Sequence, residues 1–369
     1  MQGRVVLGAV VWLGVGCAPA SMTVFGEGDP ASTTLEVMLT ADDGLNAPTD
    51  LAFDADVEGR LWVVSKRDDS VTIVDNAGTD AQTSEHRIDP YALHFMEKVS
   101  SIAFGQPGTF ATCQESRNTY NGTAPGDDFT GPSLWSNDLD IFGASNPEAV
   151  EFLTDLFGFP ADLGSHLDMQ HETPLCTGIA WSGEGNRYFV FDGLNETIES
   201  VDFVEDHGPG YDDHSDGITV EYAGGDLGYV KGVPNHMLYD AASGLVTIAD
   251  PANARVVQLD INSGERGRDL PVAEPGTTHY RVTDATFTDL VSGHAELIWP
   301  SGLAQVDGTL FVSDHATGEI WAFDAFDGTL LDRYDTGRGP EAIKGLVAPS
   351  AEELWFVDSA SNLVFRLTP

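Results

Sequence analysis

HMLYDAASGLVTIADPANARVVQLD, residues 236–260, decides the fold. It holds three short apolar runs, HMLYD, LVTIAD and RVVQLD, each ending on aspartate and separated from the next by a few turn-forming residues. Runs this short, rich in Val, Ile, Leu and Tyr and bounded by Gly, Asp, Asn and Pro, form strands. A helix would need a longer segment with apolar residues recurring near every 3.6 positions. The segment therefore predicts three antiparallel strands joined by tight turns.

The pattern recurs along the chain. It appears as LAFD (51–54), LWVVS (61–65) and VTIVD (71–75), then as SIAFG (101–105) with TFATC (109–113). GIAW (178–181), RYFVFD (187–192) and IESVDF (198–203) make a third copy, before the one at 236–260. GLAQ (302–305), LFVSD (310–314) and IWAFD (320–324) follow, and GLVAP (345–349), LWFVD (354–358) and LVFRL (363–367) end the series. Small all-β units repeated in this way bury their faces against one another. Six of them predict an all-β, six-bladed β-propeller. The last copy shows three strands, and TTLEVMLT (33–40) is expected to supply its fourth, closing the ring and removing an open sheet edge. Residues 33–369 thus read as one domain, with insertions at 116–174 and 205–217. VPNHMLYDAASGLVTIADPANARVVQLDINSG (233–264) and PSGLAQVDGTLFVSDHATGEIWAFDAFDGTLL (300–331) resemble the NHL-repeat six-bladed propellers. The resemblance spans about residues 45–369 and implies a fold more than an activity, because propellers host many functions.

With 17 basic and 59 acidic residues the net charge is −42, which repels phosphate backbones and excludes nucleic acid as a partner class. Arg4 precedes an apolar run from Val5 to Val15, too short to span a bilayer and typical of an export signal over 1–16. Leu13-Gly14-Val15-Gly16-Cys17 resembles a bacterial lipoprotein signal, with Cys17 as the lipidated residue and 17–32 as a flexible tether; plain secretion after Ala18-Pro19-Ala20 is the alternative. The expected location is outside the cytoplasm, and Cys113 and Cys176 are left as an expected disulfide.

Antiparallel strands put the first-strand entries and the turns between second and third strands on one face. That face receives Asp50, Thr177, His236 and Ser301, and the excursion 116–174 is expected to fold over it, carrying a helix in NPEAVEFLTDLFG (146–158). Its end, SHLDMQH (165–171), is rich in metal-binding groups. His166, Asp168, His171 and His236 form a first candidate site for zinc or another divalent transition metal, with Asp168 or Glu172 as proton-handling groups. EDHGPGYDDHSDG (205–217) supplies Asp206, His207, Asp212, Asp213, His214 and Asp216 as a second candidate cation site, suited to calcium, with the paired histidines leaving a transition metal open, and expected on the opposite face, apart from the first. Lys66-Arg67 and Arg117 either bind a carboxylate or offset Asp68 and Asp69. His86, His94, His279 and His294 show no mutual spacing.

VPNHM, with His236, is similar to a zinc-histidine strand entry of the peptidyl amidating lyase propeller. The matching positions in the first and fifth repeats hold Thr49-Asp50 and Pro300-Ser301-Gly302, so the histidine set is incomplete. Two functions follow from the residues. One is a monomeric cell-envelope module binding a small molecule, peptide or envelope protein, held to the membrane by its lipid alone. The other is an extracytoplasmic metal-dependent hydrolase or lyase.

Overall fold

A computed structural model describes residue 25 and residues 33–117 and 130–369. The expected export signal and Cys17 lie outside the described residues. Strand β1 (Thr34–Leu39) runs antiparallel to β26 (Leu363–Thr368), with Thr34 opposite Thr368 and Leu39 opposite Val364. It completes a sheet with β25 (Glu353–Asp358) and β24 (Ile343–Ser350), so the first strand of the chain closes the last blade.

Five further sheets follow in chain order. Blade one is β2 (Pro48–Phe53), β3 (Leu61–Ser65), β4 (Ser70–Asp75) and β5 (Thr83–Ile88). Blade two is β6 (Val99–Phe104), β7 (Thr109–Gln114), β8 (Ser133–Ser136) and β9 (His166–Met169). Blade three is β10 (Cys176–Trp181), β11 (Arg187–Asp192), β12 (Thr197–Asp202) and β13 (Ile218–Tyr222). Blade four is β14 (Met237–Asp240), β15 (Leu245–Asp250), β16 (Arg255–Asp260) and β19 (Thr286–Val291). Blade five is β20 (Pro300–Val306), β21 (Thr309–Asp314), β22 (Glu319–Asp324) and β23 (Leu330–Asp335). Between β16 and β19 lies a hairpin, β17 (Glu265–Asp269) and β18 (Thr278–Thr283). It joins blade three, where β18 pairs in parallel with β13.

Successive strands of a blade are antiparallel, so connections between first and second and between third and fourth strands emerge on one face. This corrects two expectations. The stretch 116–174 supplies β8 and β9 themselves, and its helix α2 (Pro147–Phe157) lies between them, on the face opposite the strand entries. Local chemistry fixes α2. Asn146 caps it by accepting from the Glu148 amide, Pro147 occupies its first turn, and Gly158 ends it in the left-handed region at φ 75°.

Aromatic and aliphatic side chains fill the gaps between blades. Trp62, Phe110, Trp135 and Phe142 pack between blades one and two, and Trp321 and Trp355 are likewise buried. Phe25 is buried too, edge-on to Phe311 and stacked on Tyr334 at the seam of blades five and six. A residue within the expected tether is therefore a core residue. Among the described residues, no helix is long and apolar enough to cross a membrane.

Opening the ring should cost far more than losing a surface strand. Deletion of residues 33–40 is expected to abolish the cooperative melt. Phe25→Ala should destabilise by about 3–5 kcal/mol while keeping it. Protease resistance of the deletion variant equal to that of the intact chain would contradict closure by β1.

Candidate functional site

The six first strands line a central channel. They touch most closely at their starts: Thr49 Oγ1 donates to the Val99 carbonyl, Ser100 Oγ to that of Cys176, and the Asn235 amide to that of Thr177. Glycine is required where the strands cross. A Cβ at Gly178 would sit 1.9 Å from the Asn235 carbonyl oxygen, and one at Gly302 would sit 2.1 Å from that of Lys344. Burial falls along each strand from start to end, as in β24, whose pattern runs from buried Ile343 to exposed Ser350. The channel is thus pinched at the strand entries and widens toward the opposite face. Leu51, Ile102, Ile179, Met237, Leu303 and Leu346 contribute to an apolar wall around a cavity of about 320 Å³.

Asp50 and His236 form the polar floor of this cavity, with Asp50 Oδ2 3.3 Å from His236 Nε2. The Asp50 carboxyl also accepts from the Leu51 amide at 2.9 Å and the Ile102 amide at 3.0 Å. Burial pushes Asp50 up to about 8, against the two amide hydrogen bonds, and pushes His236 down to about 3. Between those values the pair carries one proton and no net charge. It offers a donor and an acceptor to a bound molecule without presenting an ion.

His236 does not join the cluster at 166–171 that sequence reasoning placed beside it. The other predicted ligands come together instead, although the two acidic-histidine clusters were expected on opposite faces. The cause is β9: His166 and Asp168 are strand residues on the outer edge of blade two. The loop 203–217 runs along that edge, with the Gly210 amide donating to the His166 carbonyl at 2.8 Å. Asn146 Nδ2 at the start of α2 donates to the Pro209 carbonyl, and Phe152 packs on Tyr211.

At this seam His214 Nδ1 lies 2.8 Å from Asp168 Oδ1. His207 stands between two carboxylates, Nδ1 3.8 Å from Asp168 Oδ2 and Nε2 3.8 Å from Asp216 Oδ1. Asp168, His207 and Asp216 each turn one ligand atom into a common space less than 4.8 Å across. His166 stacks on Phe95, and its ring lies 5.5 Å from that of His214, which is 5.4 Å from that of His171. Burial depresses His166 and His171 well below the usual imidazole range, reinforced by the charge of His214, and so keeps them neutral. Burial also opposes the charge of His214, but its hydrogen bond to Asp168 prevails and its pKa is raised. The remaining predicted ligands do local work. Asp206 accepts from the Gly208 amide, Asp213 from Ser215, and Asp212 lies 3.7 Å from His214. Glu172 accepts from the Ala273 and His171 amides.

His94, beside Phe95 in helix α1 (Ala92–Phe95), was missed in the sequence and approaches His171, with ring centroids 6.2 Å apart. Lys66 pairs with Glu115, rather than with Asp68 or Asp69; Glu115 also accepts from Tyr229 Oη and the Gly232 amide. Cys113 of β7 and Cys176 of β10 form the expected disulfide, Cα atoms 5.1 Å apart, joining blades two and three.

No family model matches the chain, and no curated protein matches it. Solved structures do. An auxiliary nutrient binding protein from Bacteroides ovatus aligns with TM-score 0.53 and 11% identity over 91% of this chain and 76% of its own. A second, from Bacteroides thetaiotaomicron, aligns with TM-score 0.54 and 10% identity over the same shares. A streptogramin B lyase gives 0.50 and 10% over 91% of this chain and 97% of its own. At such identities the likeness is one of fold.

Replacing both Cys113 and Cys176 by serine should lower stability by about 2–4 kcal/mol, measured by denaturant unfolding. Reducing agent should produce the same loss in the parent chain and none in the variant.

Proposed function

We propose that this chain is an exported ligand-binding propeller that admits a small, largely apolar and uncharged molecule to the central channel. The carrying observation is the floor of that channel. A buried Asp50–His236 pair of no net charge lies at the closed end of an apolar cavity of about 320 Å³. Apolar walls give affinity and a few converging polar groups give orientation, the ordinary composition of a small-molecule site. Two proteins of similar fold are nutrient binding proteins, which agrees with this reading.

The Cys113–Cys176 disulfide supports an oxidising compartment, as does the export signal, and a lipid on Cys17 would hold the propeller at the cell envelope. The seam cluster serves this reading as a structural cation site. Asp168, His207 and Asp216 would hold a divalent ion that pins the loop 203–217 to blade two, and the imidazole among them favours a zinc-like ion over calcium. The metalloenzyme reading required His236 to share its ion with the 166–171 residues, and no specific observation favours it now.

Calorimetric titration with a series of small primary amides and alcohols tests the channel. Binding should be level through neutral pH and weaken above about pH 8, as Asp50 ionises. Asp50→Asn should remove the alkaline limb, and Ala103→Trp, which fills the channel, should abolish binding. Retained binding in the tryptophan variant would remove the channel as the site. The same ionisation has a stability consequence. The folded chain keeps a proton on Asp50 that the unfolded chain loses near pH 4, so this residue's contribution is present at low pH and lost as pH rises to about 8. Asp50→Asn should flatten that part of the stability profile.

For the seam, chelator should make the 203–217 loop sensitive to protease in the parent chain. Asp168→Asn should show that sensitivity without chelator.

A further inference from the structure

We propose that Glu199, Glu221 and His279 form a divalent-cation site of their own, fastening the β17–β18 hairpin of blade four to the outer edge of blade three. The sheet register brings these residues together. Glu199 on β12 lies directly opposite Glu221 on β13. Along the parallel ladder from β13 to β18, Thr219 is opposite His279 and Glu221 is opposite Arg281. Alternate residues of a strand share a face, so Glu199, Glu221, His279 and Arg281 all project to one side of the sheet. One ligand atom from each of Glu199, Glu221 and His279 falls within 4.8 Å of the other two.

Glu199 is the observation that calls for an ion. Its side chain is 1% exposed, and neither carboxylate oxygen has a hydrogen-bond partner among the described residues. A buried carboxylate without partners is strongly unfavourable. Protonation resolves it only in part, because one O–H leaves the other buried oxygen without a donor. Nor does the nearby guanidinium, because Arg281 is committed to Glu221, with Nε 2.6 Å from Oε1 and Nη2 donating to Oε2 at 3.0 Å.

His279 is prepared for the complementary role. Its Nδ1 lies 3.1 Å from the Pro271 carbonyl oxygen, which can only accept, so the ring proton sits on Nδ1 and the Nε2 lone pair is free. That Nε2 is buried and without a hydrogen-bond partner. A backbone carbonyl holding the far nitrogen of an imidazole is the usual support of a metal-bound histidine. Two carboxylates and one such imidazole suit zinc or manganese, with solvent completing the coordination. Burial, followed by the charges of Asp192, Glu221 and Glu172, drives the Glu199 pKa well above the ordinary range when no cation is bound; coordination would offset that penalty.

The test uses the full chain, stripped with chelator, reloaded with Zn²⁺ alone and dialysed. Zinc per chain and melting temperature are measured for the parent, Glu199→Gln and His279→Ala. The same pair of variants is also made in an Asp168→Asn/His207→Ala background, so that the seam cluster cannot contribute. In both backgrounds each variant should hold one equivalent less than its own parent, or bind it at least about tenfold more weakly, and should lose the zinc-dependent rise in melting temperature. Zinc content and melting shift unchanged in both variants would overturn the site. So would a Glu199→Gln chain that melts higher than its parent with and without zinc, the behaviour of an uncoordinated buried carboxyl. Failure of the seam site alone would leave the one-equivalent difference intact.

Discussion

Closure of the ring by β1 on β26 is the constraint from which the rest follows. Each blade holds its first strand at the axis only because it is wedged between two neighbours, and a ring with one free seam has no fixed axis. The pinch at the strand entries depends on this wedging. The Thr49–Val99, Ser100–Cys176 and Asn235–Thr177 hydrogen bonds each link adjacent blades, and Gly178 and Gly302 allow the backbones to come that close. The Asp50–His236 pair spans blades one and four, so even the floor of the cavity is a product of closure rather than of any single blade.

The second organising problem is how a chain with 59 acidic residues builds an interior. Four blades solve it with the same device, a buried aspartate at the end of the second strand: Asp192, Asp250, Asp314 and Asp358. Their oxygens take up turn amides, as Asp192 does from Leu194 and Asn195, or arginines, as Asp250 does from Arg255 and Asp358 from Arg338. Carboxylates held this way are structural. Asp168 and Glu199 differ, because Asp168 Oδ2 and both Glu199 oxygens are buried without a hydrogen-bond donor. Scarcity of cations and spare amides, rather than burial itself, is what separates candidate sites from supports in this chain.

The scaffold was legible because its signal is local and repeated. Short strands such as LWVVS and LWFVD, their aspartate ends and the unpaired last blade all point to a closed ring, and the capping residues of α2 announce it directly. The site was less legible for two physical reasons. HLDM alternates polar and apolar residues over only four positions, with both faces buried, and reads as a loop of metal ligands when it is the edge strand β9. That one misplacement carried the helix to the wrong face and separated the 166–171 residues from the loop 203–217, which lies on the face expected for it. His94 and His279 gave no spacing signal, because their partners come from distant strands. Pairing Asp50 with His236 likewise requires the ring to be closed first, and no local pattern encodes a contact across an axis.

The donated hairpin sets an order of assembly. Ile218 of β13 awaits Thr278 of β18, so the outer edge of blade three stays bare until most of blade four has been synthesised. During that interval β13 presents an unpaired ladder, flanked by the buried carboxylates Glu199 and Glu221, which discourage a foreign strand from docking there. Blade three thereby carries two strands supplied from within blade four, which couples the stability of the two, whereas every other sheet has four strands.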